Sequence, residues 1–303
     1  MTGRAVTGRV LVAGDVIHDI IVRPEGPLRR GTDTRAAIRM MPGGSAANHA
    51  AWLAALGVPV RFAGRCGIDE RDAISAAMQR RGIEPVLAAD PVAATGALIA
   101  IIDPDGERSF LTDRGANLNL AGADLPASLL TGISHVSLSG YSFFAPGPRA
   151  AIMGLLAAAR SHDIPVSVDA SSTGFLEEAG PANFLDWTAG ATLLFANEDE
   201  AALLSGEGDI SAQIEALGRN YDRVVIKRGA RGAVVGGAGG ISHSREAEPA
   251  IVVDSTGAGD AFAAGYVAGL LRDGSDEALA LASGVSAGAR AIAVAGGQPP
   301  EFA

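Results

Sequence analysis

Asp254-Ser255-Thr256-Gly257-Ala258-Gly259-Asp260-Ala261-Phe262-Ala263-Ala264-Gly265 is the stretch from which the rest of the chain is best read. It follows the β-branched run Ile251-Val252-Val253 and leads into Phe262, Tyr266, Val267, Leu270 and Leu271 at helical spacing, which predicts strand, glycine turn and helix. Such a turn aims backbone N–H groups at one point and adds the positive end of a helix dipole, so it suits negative charge developing on a phosphoryl group. A carboxylate at Asp260 would repel a phosphate but is well placed to take a proton from a hydroxyl attacking one. A purely structural turn, with Asp260 as a cap, also accounts for Gly257 and Gly259. The acid at Asp254, the hydroxyl of Thr256 and the small Ala258 favour the chemical reading. No Gly-Lys-Ser/Thr follows the glycines, and G-x-G-x-x-G spacing is absent.

A second motif lies far upstream, at Pro42-Gly43-Gly44-Ser45-Ala46-Ala47-Asn48-His49-Ala50-Ala51-Trp52-Leu53-Ala54-Ala55-Leu56-Gly57. Ser45 is expected to cap a helix of strong helix formers and Gly57 to end it in a left-handed turn. Asn48, with the bare peptide groups of Gly43 and Gly44, offers donors and an acceptor to a polyol. Val60-Arg61-Phe62-Ala63-Gly64-Arg65-Cys66-Gly67-Ile68-Asp69 repeats the expected order of strand, glycine turn and Asp-capped helix.

Together, Gly43-Gly44 to Asn48, Gly64 to Asp69 and Asp254 to Asp260 resemble the two signatures of the PfkB carbohydrate kinases, the ribokinase-like family, and the resemblance runs over nearly the whole chain. It implies an ATP-dependent kinase that phosphorylates a hydroxyl, a primary one, of a sugar or sugar-like molecule. Residue by residue, it makes Asp260 the base and gives the N–H groups of Gly257, Ala258 and Gly259 the role of anion hole. Asp19 resembles the acid that binds substrate hydroxyls beside Gly43, Gly44 and Asn48, with Asp15 ranked after it. Asn197-Glu198-Asp199-Glu200 is similar to the family's Asn-x-x-Glu element, with Asn197 on the nucleotide side and Glu200 serving Mg²⁺ through water. Lys227-Arg228-Gly229-Ala230-Arg231-Gly232 resembles the glycine loop along the nucleotide, placing Lys227, Gly229 and Gly232 there. Asp254 and Thr256 resemble a monovalent-cation site, for K⁺, found in many members.

Elementary chemistry stands beside these assignments. Phosphoryl transfer needs a positioned nucleophile, neutralised charge and alignment more than covalent help, and a carboxylate with a pKa near 4 can accept the proton as the bond to phosphorus forms. Helix capping is the structural alternative for Asn197 and Glu200, and a solvated strand end for Lys227. Arg108 has a hairpin-turn setting at Asp105-Gly106 and is a candidate for reaching substrate. The five histidines show no metal-binding spacing, and the one cysteine, Cys66, reads as a buried structural thiol.

At 303 residues and 48% apolar content the chain can bury a large core. Strand-like runs (Val10 to Ala13, Val60 to Ala63, His135 to Leu138, Val166 to Val168, Thr192 to Phe195, Val224 to Ile226) alternate with alanine-rich helical stretches. That pattern predicts an α/β fold, one mostly parallel sheet covered on both faces. The resemblance makes it a ribokinase-like three-layer sandwich. Two stretches break the rhythm, Ile20 to Met41 and Ala97 to Leu111, with turn signals at Pro24-Glu25-Gly26-Pro27 and Asp103-Pro104-Asp105-Gly106. They are expected to form a small separate sheet within a single domain, 1–303. In the family this is a lid over the sugar site and often a homodimer surface.

The net charge of −10 argues against general binding of nucleic acid or anionic membrane. The N-terminal basic residues precede an apolar run too short for a secretory signal, and no long apolar stretch follows, so a cytoplasmic protein is expected. Ser45 stands where ribokinases themselves tend to carry lysine, which leaves the acceptor open: a sugar, or a nucleoside as in adenosine kinase-like enzymes. A noncatalytic sugar-binding or regulatory protein is the reading from another class, and a dehydrogenase is disfavoured by the missing dinucleotide glycine spacing.

Overall fold

The computed structural model describes residues 8–102, 108–273 and 276–300. In chain order the strands and helices are β1 (Val10–Ala13), β2 (Ile17–Pro24), β3 (Ala36–Gly43), α1 (Ser45–Ala55), β4 (Val60–Gly67), α2 (Arg71–Arg80), β5 (Ile83–Asp90), β6 (Thr95–Ile102) and β7 (Arg108–Gly115). They continue as β8 (His135–Ser139), α3 (Pro146–Ser161), β9 (Val166–Asp169), α4 (Thr173–Ala179), α5 (Pro181–Trp187), β10 (Leu193–Asn197), α6 (Glu198–Ser205) and α7 (Ile210–Leu217). The last are β11 (Arg223–Lys227), β12 (Ala233–Gly237), β13 (Gly240–Arg245), α8 (Ala258–Asp273) and α9 (Glu277–Ile292).

Nine strands form the main sheet in the order β13-β12-β11-β10-β9-β8-β1-β4-β5. Every pairing from β11 to β5 is parallel, and β12 and β13 add an antiparallel edge. Alternation along the central strands explains the two apolar layers, because successive side chains point to opposite faces. Leu11, Ala13, Leu194, Ala196, Val224 and Ile226 enter one core with α3 and α7. Val10, Val12, Leu193, Phe195 and Val225 enter the other with α1, α8 and α9. The architecture is therefore helix, sheet, helix, as expected for a ribokinase-like α/β fold.

The two stretches that break the α/β rhythm form a separate four-stranded sheet in the order β3-β2-β6-β7. β2 and β6 are parallel, and the outer pairs are antiparallel. Its limits run a few residues beyond those read from sequence. The Asp103 to Gly106 turn and residues 1–7 lie outside the described residues.

Three local expectations are corrected. Ile251-Val252-Val253 is not a strand; its side chains are exposed, and Val253 N–H donates to the Ile292 carbonyl instead of to a sheet neighbour. β4 continues through Gly64 to Gly67, so those glycines sit inside a strand rather than a turn, and α2 is preceded by Glu70 instead of being capped by Asp69. Ser45 is the first residue of α1, with Gly44 in the cap position, so its hydroxyl is free for another use. Two other signals hold: Gly57 is left-handed at φ 78°, and Cys66 is fully buried with its thiol pushed up to about 11 by that burial. No helix among the described residues is long and apolar enough to cross a membrane.

Helices α8 and α9 approach closely at Gly265, where an added Cβ would lie 2.4 Å from the Ser283 carbonyl oxygen and 2.7 Å from Ala287 Cβ. Gly265→Val should therefore destabilise the protein by about 1–3 kcal/mol through overpacking, outweighing the few tenths of a kcal/mol that valine gains over glycine in helix propensity. Urea denaturation should show a lower midpoint; an unchanged or raised midpoint would refute this helix packing.

Candidate active site

Parallel strands of one sheet end together, and in open α/β sheets ligands bind in the crevice beyond those ends, where the strand order reverses. Here the order reverses between β1 and β8. Asp15 lies two residues beyond β1, Asp169 ends β9, Asn197 ends β10 and Lys227 ends β11. The sheet thus delivers four of the polar groups, and α1 and α8 deliver the rest.

Asp260 lies in the first turn of α8 and joins the two motifs across 215 sequence positions. Ser45 Oγ donates to its Oδ1 at 2.8 Å and Asn48 Nδ2 to its Oδ2 at 3.1 Å. His49 Nδ1 lies 3.2 Å from its backbone carbonyl oxygen. That oxygen can only accept, so Nδ1 carries the hydrogen. Burial pushes the partly exposed Asp260 up to about 8, helped by the Asp169 carboxylate and opposed by the Ser45 and Asn48 donors and by Lys227. Ser45, read as a cap, is instead the donor that orients this acid, a use visible only when the two motifs meet.

The turn before α8 is shaped by close backbone approach. Gly257 has φ 71°, and an added Cβ would lie 2.6 Å from Gly297 Cα. Of the three N–H groups read as an anion hole, that of Ala258 donates to the Ser255 carbonyl at 3.3 Å, while Gly259 lies in the first turn, whose N–H groups have no helical carbonyl to bind. Asp254 Oδ1 accepts from Thr256 N–H at 3.0 Å and from its hydroxyl at 2.8 Å, and Oδ2 accepts from Gly296 N–H at 3.0 Å. Asp254 and Thr256 are thus bonded to each other. The carboxylate organises the loop.

Asp169, which the sequence reading did not single out, forms an ion pair in the crevice, its Oδ2 2.6 Å from Lys227 Nζ. Burial opposes the charge on Lys227, yet Asp169, Glu200 and Asp260 together raise its pKa. Lys227 Nζ also lies 3.2 Å from where a Cβ on Gly259 would sit, so the ammonium abuts the glycine turn. Asn197 and Glu200 form a reciprocal capping box at the start of α6: Asn197 Oδ1 accepts from Glu200 N–H and Glu200 Oε2 accepts from Asn197 N–H, both at 2.8 Å. Glu200 is buried, and burial raises its pKa despite Lys227. The structural alternative for this pair is therefore realised, with the Glu200 carboxylate still beside the charged cluster. Gly229 and Gly232 have φ 55° and 81° and bracket the bend between β11 and β12.

On the other side, Asp19 is buried on β2 against the double glycine. A Cβ on Gly43 would fall 2.2 Å from the Asp19 carboxylate carbon, so only glycine admits this acid here. Asp19 is pushed up to about 7, first by burial and then by Asp15 and Asp254. Asp15 Oδ2 accepts from Ser45 N–H at 3.0 Å, and its Oδ1 is buried without a partner, as is Asn48 Oδ1. Two unsatisfied acceptors and a proton-hungry Asp19 are what a polyol's hydroxyl donors would satisfy. The Arg108 side chain lies outside the described residues. Phe143 is fully buried and Phe144 is stacked on Phe175 at 5.4 Å, so neither opens a slot for a nucleobase, whereas Phe110 is exposed on the face of the small sheet that carries Asp19. No group of three metal-ligating side chains occurs among the described residues.

A sequence profile described as "pfkB family carbohydrate kinase" matches residues 7–301. The chain is 32% identical to an ATP-dependent ribose-1-phosphate kinase of Halopiger xanaduensis over 278 residues, covering 89% of this chain and 87% of that protein. It is 30% identical to a fructokinase of Klebsiella pneumoniae over 285 residues, covering 91% and 88%. The structure of Arabidopsis thaliana ribokinase complexed with ribose and ATP superposes with a TM-score of 0.80 at 23% identity, covering 96% of this chain and 94% of that one, a likeness of fold.

The raised carboxylates fix the sign of a pH effect. Asp19 and Asp260 bind protons up to about 7 and 8 in the folded protein but only to about 4 when unfolded. The unfolded chain therefore holds fewer protons between those values, and stability falls as pH rises. The buried His49, held down to about 4 by burial, works the other way, but only below about 6.5, its unfolded value. The ligand-free protein should thus lose melting temperature between pH 6.5 and 8, and Asp260→Asn should flatten that slope. A flat or rising profile in the parent would refute the assignment.

Proposed function

The chain belongs to the pfkB family of carbohydrate kinases, and from that premise we propose that Asp260 takes the proton of the acceptor hydroxyl while the Gly257–Gly259 turn receives the phosphoryl group. The chain is an ATP-dependent phosphotransferase of the sugar and nucleoside kinase class. The observation that carries the finer reading is the pair of donors from α1, Ser45 and Asn48, on the two carboxylate oxygens of Asp260. They hold the acid facing the polyol side of the crevice, with the glycine turn at its back.

The acceptor is a sugar or sugar-like molecule, with its hydroxyls on Asp19, Asp15, Asn48 and the Gly43-Gly44 peptides, and its reacting hydroxyl a primary one. The burial of Phe143 and the stacking of Phe144 on Phe175 support this over a nucleoside. As the hydroxyl oxygen bonds to phosphorus, its proton passes to Asp260 and the bond from phosphorus to the bridging oxygen breaks, leaving ADP. A base whose pKa lies near the working pH is well matched to that transfer. Bound ATP supplies the phosphoryl group, and Mg²⁺ neutralises its charge. Lys227, abutting Gly259, fits the phosphates; Asn197, Gly229 and Gly232 line the nucleotide side; Glu200, beside the cluster, fits Mg²⁺ held through water. Asp254 and Thr256 stay the candidate side-chain ligands for K⁺, and no step is assigned to it.

The small sheet is the lid of this reading, with a homodimer contact on its outer face. The strand registers place Ile20, Val22, Ile38, Met40, Ile99, Ile101 and Leu111 on one side. Ile38, Met40 and Leu111 are 63%, 67% and 58% exposed there.

Asp260→Asn should lower kcat by about 10²- to 10⁴-fold, the usual worth of a positioned base, with the fold unchanged by circular dichroism. Ser45→Ala removes a donor that favours the ionised acid, so the acid limb of the pH profile of kcat/KM should move to higher pH. Full activity in Asp260→Asn would remove the proposed base.

A further inference from the structure

Arg114, near the end of β7, makes no ion pair among the described residues, and its guanidinium carbon lies 5.4 Å from the centre of the Tyr141 ring. Tyr141 in turn stands at the crevice, following β8, and its phenol is pushed up by burial and then by the charges of Asp15, Asp260, Asp169 and Glu200. The main chain at this point is pinned to the acceptor side. Asn117 Nδ2 donates to the Arg114 carbonyl at 2.9 Å and to the Val16 carbonyl at 3.0 Å, while Asn117 Oδ1 accepts from Val16 N–H at 3.0 Å, next to Asp15.

Sheet register puts Arg114 and Asp19 on one face. Asp19 pairs with Leu98, Leu98 with Thr112, and Arg114 lies two residues beyond Thr112 on the same strand. Side chains two apart share a face, so the Arg114 and Asp19 Cα atoms are separated by two strand spacings and one two-residue step, about 12 Å. That spacing leaves room for a monosaccharide-sized ligand between the two groups. One end of the gap is lined by Asp15 and Asp19, which suit hydroxyl donors and repel an anion. The other end carries a half-buried guanidinium without a carboxylate.

We propose that Arg114 anchors an anionic substituent, a phosphate or a carboxylate, on the acceptor, so that the preferred substrate is a sugar phosphate or sugar acid. This rests on the reading of the crevice as a sugar kinase site. Tyr141 packs against the guanidinium, and the planar fork of arginine matches either anion bidentately. A hydrogen bond to a charged group is worth enough to give about ten- to a hundredfold in affinity over a neutral counterpart.

Matched acceptors test it by calorimetric binding to the intact protein: ribose against ribose 1-phosphate, and glucose against gluconate, each retaining a free primary hydroxyl. The anionic member of at least one pair should bind ten- to a hundredfold more tightly. Arg114→Gln should abolish that preference while leaving the neutral affinity unchanged, and Arg114→Lys should restore part of it. A preference confined to the phosphate pair identifies a sugar phosphate, and one confined to the carboxylate pair a sugar acid. Equal affinities within both pairs, or an equal loss for neutral and anionic members in a folded Arg114→Gln protein, would overturn the proposal. Turnover with Asp260→Asn as control separately decides the kinase chemistry, which can stand if the anion preference fails.

Discussion

Lys227 Nζ, 2.6 Å from Asp169 Oδ2, is the charge around which the crevice is arranged. Asp169, Glu200 and Asp260 all stabilise its ionised form against the cost of burial. In return the ammonium restrains the rise in pKa of Glu200 and Asp260. Removing either partner of such a buried pair leaves a charge without compensation, which typically costs more than the pair itself contributes. Several strands and helices therefore share one electrostatic balance: β9 brings Asp169, β11 brings Lys227, α6 brings Glu200 and α8 brings Asp260.

The same arrangement explains why the acids are distributed as they are. Asp19 lies on the small sheet and Asp260 on α8, each with a raised pKa, so the ligand-free crevice holds protons that an approaching cation or hydroxyl donor would displace. The glycines beside them are matters of clearance. Gly43 admits the Asp19 carboxylate, and Gly257 admits the backbone of Gly297.

Much of this was legible in the sequence because it rests on local pattern. Short apolar runs marked β1, β8, β9, β10 and β11 to within a residue or two, and Gly57 marked the end of α1. Both sheets and the two glycine motifs could be placed. What could not be read depended on contacts far apart in the chain. Ile251-Val252-Val253 has the composition of a strand, but it has no neighbour to pair with, and it runs exposed. Ser45 has the chemistry of a cap, yet its hydroxyl is claimed by Asp260. Asp169 carries no motif at all; only the parallel neighbours β9, β10 and β11 bring it to Lys227. Arg114 likewise gains its meaning from register rather than from spacing.

The crevice is also stitched together by residues from opposite ends of the described chain. Trp52 Nε1 donates to the Gly297 carbonyl, Gly296 N–H donates to Asp254, and Arg81 donates to the Pro299 carbonyl. During ribosomal synthesis, the helix bearing Asn48 must wait for more than two hundred further residues before Asp260 can meet it. Contacts of such sequence separation close slowly, so the nascent polypeptide passes through a long interval in which its first half is made but lacks the partners that complete the crevice, an interval in which chaperone capture has the most to offer.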